Sequence, residues 1–350
     1  MIYEDRVREN IGRMVRMAGG SARLRPHIKT HKLPEVLQAH LGAGITKFKC
    51  ATVAEAEMAA QAGASEVLLA YQPTGPNPGR LRALADRHPE TRFAAMVDDA
   101  GPVRALAQAF AGSTRPLDVF LDLDCGMHRT GIDPGASALE LYRFIESLGG
   151  IRAAGLHAYD GHIHDPDPEV RRARCVEAFE PVRDFRKELE KAGLPVETVI
   201  AGGTPTFPIH APDSSVQCSP GTCVLWDFGY SDKFQDLPFL YAALVMTRVV
   251  SKPAGNRLCL DLGHKAIAAE NPHPRVRLIG LEDANPVIHS EEHLVIETPL
   301  AGNYRIGDVV YGIPRHICPT VALYSEAYAV DEGLASNRWL VTARARVISV

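Results

Sequence analysis

The sequence lacks the features that mark membrane, secreted and nucleic-acid-binding proteins. None of its apolar runs approaches the ~20 residues that span a bilayer, and Met1-Ile2-Tyr3-Glu4-Asp5 becomes polar too early for a signal peptide. A formal net charge of −4 gives no excess that would attract nucleic acid or anionic lipid. The seven cysteines form no CxxC pair, which predicts free thiols in a reducing cytosol. We therefore expect a cytoplasmic enzyme with a small-molecule substrate and with no nucleic-acid or membrane partner.

Eight short apolar runs, each followed by a helical stretch, occupy the first two thirds of the chain. Thr52 followed by Glu55 predicts the N-terminal cap of one of these helices, Val53–Gln61. Eight apolar strands alternating with helices predict an α/β fold, a (β/α)8 TIM barrel. The alternative, a doubly wound sheet, usually carries GxGxxG after its first strand when it binds dinucleotides, and this chain has His27-Ile28-Lys29-Thr30 there. The predicted strands are 23–29, 45–50, 66–71, 92–97, 118–124, 151–159, 197–201 and 215–219.

The pattern changes after Asp227. Apolar stretches continue, but Gly, Pro and Asn turns join them and helical stretches no longer separate them. This pattern predicts an antiparallel β domain with strands at 241–250, 257–261, 293–297, 308–313 and 339–350. We therefore expect a barrel over residues 12–227 and a β domain over residues 228–350, which residues 1–11 join.

Lys29 is placed where the first predicted strand gives way to a loop. Active sites of parallel barrels lie at the carboxyl ends of the strands, and an uncharged lysine amine there can form an imine with a carbonyl. The alternative is a solvated surface lysine in a basic cluster with Arg25 and Lys32. Strands five and six end nearby in the predicted barrel, and they offer Arg129, His157, Tyr159 and His162 to the same edge.

Two turns of small residues follow predicted strands seven and eight. They are Ala201-Gly202-Gly203-Thr204-Pro205-Thr206 and Ser219-Pro220-Gly221-Thr222. Such turns let backbone N–H groups approach an anion, and the loops after these two barrel strands often bind phosphate. Two ordinary tight turns are the alternative, but their occurrence in this pair of loops favours a phosphate site.

Arg315-His316-Ile317-Cys318 is a candidate metal site. Residues two apart in an extended segment face the same side, so His316 and Cys318 could bind one divalent ion. Two protein ligands leave coordination positions for substrate and water, which is typical of a catalytic site. The alternative is a packed histidine beside a buried cysteine.

Together these motifs resemble the D-threonine aldolase and D-serine dehydratase family, pyridoxal-phosphate enzymes with the alanine-racemase-like (fold type III) architecture. The resemblance covers nearly the whole chain. It implies that Lys29 holds pyridoxal 5'-phosphate as a Schiff base, that Arg129 faces the pyridine nitrogen and that Tyr159 lies beside the ring. It also implies a homodimer in which the β domain of one chain covers the barrel of the other. The motifs that carry it are Arg25-Pro26-His27-Ile28-Lys29-Thr30-His31-Lys32, Ala54-Glu55-Ala56-Glu57, Arg129, Tyr159, 202–206, Glu291-Glu292-His293 and 316–318.

The resemblance further assigns the anion and metal sites. It implies that the phosphate is bound by Gly203, Thr204, Gly221 and Thr222. It implies that His316 and Cys318 bind a divalent zinc, manganese or magnesium ion. The catalytic residues that it implies are Lys29, Tyr159 and His316.

Three departures from the family pattern bear on specificity and on the N-terminus. Family members usually begin with a Thr-Pro segment, and this chain opens inside that motif, which predicts a missing β-domain strand or a misassigned start site. Residues 48–52 lack the glutamine that aldolases tend to carry there, and residues 261–266 are richer in basic groups than is usual.

Such an enzyme would act on D-β-hydroxy-α-amino acids in one of two ways. Removal of the hydroxyl proton would break the Cα–Cβ bond and give glycine and an aldehyde. Removal of the Cα proton by Lys29 would instead expel the hydroxyl, as a D-serine or D-threo-3-hydroxyaspartate dehydratase does. We place D-threonine-aldolase-like cleavage first as the family's commoner assignment, although histidine-any-cysteine is the dehydratase pattern.

Two further alternatives are an amino-acid racemase and a non-enzymatic pyridoxal-phosphate homeostasis protein. The racemase would need a second base and no metal, and the His316–Cys318 pair argues against it. The homeostasis protein would be a single barrel, and the predicted β domain argues against that.

Overall fold

The computed structural model describes residues 1–350 as two compact units. The barrel unit comprises Gly12–Lys29, Pro34–Gly221 and Ala345–Val350. The β unit comprises Met1–Ile11, Thr30–Leu33 and Thr222–Arg344. Not one helix combines the length and the apolar character that crossing a bilayer requires.

The helices are α1 (Glu4–Ala18), α2 (Pro34–Gly42), α3 (Val53–Gln61), α4 (Asn77–Arg87), α5 (Ala100–Ala109), α6 (Ala136–Glu146), α7 (Pro168–Lys191), α8 (Phe207–His210), α9 (Phe228–Lys233) and α10 (Ile317–Leu323). The strands are β1 (Ile2–Tyr3), β2 (Lys47–Cys50), β3 (Glu66–Leu69), β4 (Arg92–Val97), β5 (Leu117–Leu123), β6 (Ile151–Ala158), β7 (Thr198–Ala201), β8 (Val216–Cys218), β9 (Val245–Ser251), β10 (Arg257–Leu260), β11 (Val276–Leu278), β12 (Asn285–His289), β13 (Leu294–Glu297), β14 (Val309–Pro314), β15 (Glu326–Asp331) and β16 (Leu334–Leu340).

The barrel unit is built on a parallel sheet in the order β2-β3-β4-β5-β6-β7-β8. Every residue of β5 is buried, as expected for a parallel strand that is covered on both faces. The side chains of Leu68, Met96, Phe120 and Ile200 pack together in one core cluster. The continuous apolar runs that predicted this sheet are therefore the runs that fill its interior.

The parallel sheet of the predicted barrel is confirmed, but with seven regular strands where eight were expected. The first predicted strand, 23–29, instead forms single bridges to both end strands, Leu24 to Cys218 and His27 to Lys49. The Lys49 N–H donates to the Pro26 carbonyl over 2.9 Å, but Pro26 itself has no N–H to donate, so a regular ladder cannot continue through it.

The predicted cap of helix α3 is confirmed. The Thr52 side chain accepts a hydrogen bond from the Glu55 N–H over 3.1 Å, and the Ala51 N–H donates to Glu55 Oε2 over 2.6 Å. These reciprocal bonds satisfy amide groups that the first helical turn leaves without partners. The helix spans Val53–Gln61, as the sequence predicts.

The β unit contains a six-stranded antiparallel sheet, β11-β14-β9-β10-β13-β12, and a three-stranded sheet, β1-β15-β16. Val249, Leu258, Ile296 and Val310 belong to the core beside the larger sheet. In the smaller sheet β1 runs parallel to β15, with Ile2 opposite Ala329.

The predicted antiparallel architecture is confirmed, but the predicted strand 339–350 is wrong beyond Leu340. There β16 ends and a 3-10 turn, Thr342–Ala345, follows. Strands β11, β12 and β15 were not predicted. Strand β12 is mostly exposed and contains Pro286, so it shows none of the apolar alternation that marks a strand.

Candidate active site

Lys29 lies in a 3-10 turn, Ile28–Thr30, and is exposed. It follows His27 by two residues, and the bridge from His27 to Lys49 fixes this segment beside the carboxyl-terminal half of β2. The structure therefore places an accessible amine at the edge of the sheet where the active sites of parallel barrels lie.

A second lysine, Lys49, is buried in the barrel unit. Its Nζ lies 3.3 Å from Nε2 of His157, whose Nδ1 lies 2.6 Å from Oδ1 of Asp122. Burial, reinforced by the positive charges of Lys29 and Arg129, lowers the pKa of Lys49 to about 7. Burial and the Lys49 charge likewise lower the pKa of His157. This Lys49–His157–Asp122 chain therefore holds an amine that can exist uncharged near neutral pH.

Tyr159 lies among the groups that the sequence assigned to the cofactor ring. The guanidinium carbon of Arg129 is 5.1 Å from the centre of its ring, and Nζ of Lys49 is 5.4 Å away. A Cβ atom on Gly203 would come within 3.1 Å of the same ring, so the backbone of the first small-residue turn passes close to it. The structure therefore brings Arg129, Tyr159 and Gly203 together.

The two small-residue turns are joined by a threonine hydroxyl. The Gly221 N–H donates to Thr204 Oγ1 over 3.1 Å. Gly202 has a φ of +75°, and a Cβ there would lie 2.9 Å from Cα of Phe207. Only glycine fits both the left-handed conformation and this close approach, so Gly202 fixes the shape of the turn. Thr222, the last predicted phosphate residue, follows Gly221 in the chain and belongs to the β unit.

In the β unit, His316 and Cys318 contact each other, but not in the extended segment that the sequence predicted. Strand β14 ends at Pro314, His316 caps helix α10, and Cys318 lies in its first turn. The Cys318 Sγ lies 3.2 Å from Oγ1 of Thr30 and 3.6 Å from Oγ1 of Thr222. The pair is therefore held at the start of a helix by hydroxyl neighbours.

The two side chains adjust each other's protonation. Burial alone would lower the pKa of His316, but the hydrogen bond with Cys318 and the contact of Nδ1 with Glu270 Oε1 at 2.5 Å raise it to about 9. Burial opposes ionisation of Cys318, but His316 and Thr30 outweigh it and lower the pKa of its thiol. The pair therefore favours a thiolate, the form of cysteine that binds metals.

The sequence reasoning missed the residues that support these groups. Glu270 lies 46 positions before its partner His316. Buried Asp227 accepts from the Ile317 N–H over 3.0 Å, and burial raises its pKa to about 6. A third group, Asp160, Cys175 and His210, places three buried atoms of metal-ligating type within 4.8 Å of one another. No local signal joins these three residues, which are far apart in sequence.

A parallel barrel with an exposed lysine at its edge, followed by an antiparallel β unit, is typical of the alanine-racemase-like class of fold. A family model described as "Alanine racemase, N-terminal domain" matches residues 2–226, and one described as "Putative serine dehydratase domain" matches residues 242–330. The chain belongs to the family of the alanine racemase N-terminal domain.

Similar proteins are aldolases and dehydratases. The chain is 28% identical to the D-threonine aldolase of an Arthrobacter species over 326 residues, 92% of this chain and 85% of that protein. It is 33% identical to the D-threo-3-hydroxyaspartate dehydratase of a Delftia species over 214 residues, 58% of this chain and 53% of that protein. The crystal structure of the D-threonine aldolase from Filomicrobium marinum superposes with a TM-score of 0.90 at 28% identity, covering 99% of this chain and 95% of that one.

Proposed function

We propose that this protein is a pyridoxal-phosphate- and divalent-metal-dependent lyase that cleaves D-threonine and related D-β-hydroxy-α-amino acids to glycine and an aldehyde. The observation that carries the proposal is the exposed Lys29 amine at the carboxyl edge of the barrel, in a chain similar to a D-threonine aldolase over 92% of its length.

The barrel unit fits pyridoxal phosphate. Lys29 would bond to the aldehyde carbon of the cofactor, and Arg129 and Tyr159, whose guanidinium carbon and ring centre are 5.1 Å apart, would orient its ring. The turn at Gly203 passes so close to the Tyr159 ring that a Cβ there would lie 3.1 Å from it, and this turn would bind the phosphate together with Thr204 and Gly221. When bound, this cofactor supplies the electron sink that a carbanion at Cα requires.

The His316–Cys318 pair fits a divalent ion. Nδ1 of His316 is engaged by Glu270, and such a carboxylate partner commonly orients a metal-binding histidine. A metal ion bound by both residues would replace the proton that His316 and Cys318 share in their hydrogen bond. Imidazole nitrogen with thiolate sulfur suits zinc better than it suits magnesium. A bound ion would act as a Lewis acid that lowers the pKa of the substrate's β-hydroxyl.

A specific observation keeps dehydration as the second candidate. Residues 316–318 read histidine-any-cysteine, the dehydratase pattern that the family resemblance implies, and one of the similar proteins is a D-threo-3-hydroxyaspartate dehydratase. In that reaction Lys29 would take the Cα proton, and the hydroxyl would leave toward the metal.

The direct test is to assay purified protein with D-threonine and with D-serine, with and without added zinc, manganese or magnesium. Aldol cleavage of D-threonine yields glycine, whereas dehydration of either substrate yields a keto acid and ammonia. Keto acid as the main product would favour the second candidate. Racemised substrate without cleavage would contradict both.

The same proposal includes a homodimer in the cytoplasm. Free cysteines throughout the chain support a reducing compartment, and closed two-fold dimers are the commonest oligomers. Sedimentation of the active enzyme at assay concentration tests the dimer, and full activity in a monomer would contradict it.

A further inference from the structure

Asp160 is the centre of a buried hydrogen-bonded cluster below the small-residue turn 202–206. It follows β6, whereas Cys175 lies on α7 and His210 ends α8. Oδ2 of Asp160 lies 2.8 Å from Nε2 of His210 and 3.5 Å from Sγ of Cys175. All three side chains are at most 4% exposed. The cluster therefore joins three separate elements around one carboxylate.

The other carboxylate oxygen reaches the turn through Thr206. The Thr206 hydroxyl donates to Oδ1 of Asp160 over 2.8 Å, and it accepts the Gly203 N–H over 3.1 Å. A hydroxyl has a single proton, so giving it to Asp160 leaves the oxygen lone pairs free to face Gly203. The backbone of Gly203 is thus connected to a buried carboxylate through one side chain.

Asp160 is suited to this role because it stays ionised inside the barrel unit. Burial would raise its pKa, but the hydrogen bonds from His210 and Thr206 hold that pKa below its ordinary value. Hydrogen bonds to a charged acceptor are roughly twice as strong as neutral ones. The bond that positions Thr206 is therefore among the stronger ones available to a side chain.

The underside of the turn also packs on the cluster. A Cβ on Gly202 would lie 3.0 Å from Cδ2 of His210, so the ring that bonds to Asp160 supports the turn from below. The turn is held at Gly202 by packing and at Gly203 by the hydrogen-bonded chain.

We propose that Asp160 is a positioning residue for the cofactor phosphate. Asp160 fixes the turn 202–206 through its hydrogen bonds with Thr206 and His210. The proposal rests on the proposed function, because it takes this turn as part of the phosphate site. It predicts that weakening the hydrogen bonds from Asp160 through Thr206 to Gly203 lowers the affinity for the phosphate group and leaves the affinity for the rest of the cofactor unchanged.

The test compares Thr206→Val, which removes the hydroxyl at nearly constant volume, with Thr206→Ser, which keeps it. Apo-protein is titrated with pyridoxal phosphate and with pyridoxal, which lacks the phosphate, and the absorbance change gives both dissociation constants. We expect Thr206→Val to weaken pyridoxal-phosphate binding by about ten- to a hundredfold. Pyridoxal binding should stay unchanged, and Thr206→Ser should resemble the wild type. Asp160→Asn should weaken pyridoxal phosphate in the same selective way.

Several outcomes would overturn the inference. Equal affinity of Thr206→Val and wild type for pyridoxal phosphate would remove the role of the hydroxyl. Equal losses for both ligands would indicate general damage to the fold. If the wild type bound neither ligand, the proposed function itself would fail, which the wild-type titration alone reveals.

The cluster's donor types also suit a metal ion, so metal content is measured on the same preparations. A zinc ion bound in addition to the one proposed at His316 and Cys318, retained by wild type and by Cys218→Ala but lost from Cys175→Ala, would identify a metal site in place of a hydrogen-bonded support. Cys218 is a matched control because its buried thiol contacts a carbonyl oxygen, that of Phe207, at 3.5 Å.

Discussion

Replacing Lys49 by methionine should stabilise the apo-protein in acid and not in base. The pKa of Lys49 is about 7 in the folded state, against an ordinary 10.5. The unfolded chain therefore binds more protons than the folded one between these two values, and the contribution of Lys49 to stability rises with pH across that window. Below pH 7 the folded state carries a buried charge, and the shift corresponds to a destabilisation of about 5 kcal/mol.

Methionine has a similar volume and no charge, so it removes this destabilisation. It also leaves Nε2 of His157 without its partner Lys49, which lowers the free energy of unfolding by about 1–3 kcal/mol. We therefore expect Lys49→Met to be more stable than wild type by about 2–4 kcal/mol at pH 6, and less stable by about 1–3 kcal/mol above pH 10.5. Urea unfolding of the apo-protein at pH 6, 8 and 10.5 measures the change.

A matched control lies on the same strand. Lys47 is partly exposed and pairs with Glu66 at 3.7 Å, so Lys47→Met should change the free energy of unfolding by no more than about 1 kcal/mol. The reasoning is refuted if Lys49→Met shifts the urea midpoint by the same amount at all three pH values, because a pH-independent change cannot come from a buried proton.

Three further outcomes follow from the site and the core. Borohydride reduction of the holoenzyme and peptide mapping should place the pyridoxyl group on Lys29, and a label on Lys49 would contradict the cofactor assignment. Chelation, or His316→Ala, should lower turnover about a thousandfold by removing a Lewis acid while the imine absorbance persists; full activity after exhaustive chelation would remove the metal from the proposal. Phe120→Ala in the barrel core should lower the free energy of unfolding by about 3–5 kcal/mol in urea titrations. An unchanged urea midpoint would mean that the core around Phe120 is not tightly packed.

The sequence predicted those parts of the fold that depend on local pattern. Continuous apolar runs marked the parallel strands, and the Thr52–Glu55 pair marked a helix start to the residue. The predicted first strand is interrupted at Pro26: Leu24 and Ile28 suggest a strand, but Pro26 has no N–H to continue a regular ladder. Strand β12 was missed because exposed strands lack the periodic burial on which such predictions depend.

In the candidate site, too, the sequence predicted the residues that lie in short motifs and missed those that come together only in the fold. Lys29, Arg129, Tyr159 and the small-residue turns lie in short motifs, so the sequence could name them. His316 and Cys318 contact each other as predicted, but at a helix start instead of in an extended segment, because a helix cap also brings residues two apart into contact; their binding of a metal stays a prediction. Glu270 and the partners of Asp160 come from distant parts of the chain. Such partners are found only when the topology is known.

The pairing of β1 with β15 has a consequence for how the protein is made. Ile2 and Tyr3 leave the ribosome long before their partners Ala329 and Val330 are synthesised. At typical translation rates the N-terminal strand waits about 15 to 65 s for its partner. During that time the barrel segment 34–221 emerges and can fold as a contiguous stretch. The order of synthesis thus separates two folding events, because the sheet β1-β15-β16 can close only after β16 has been synthesised.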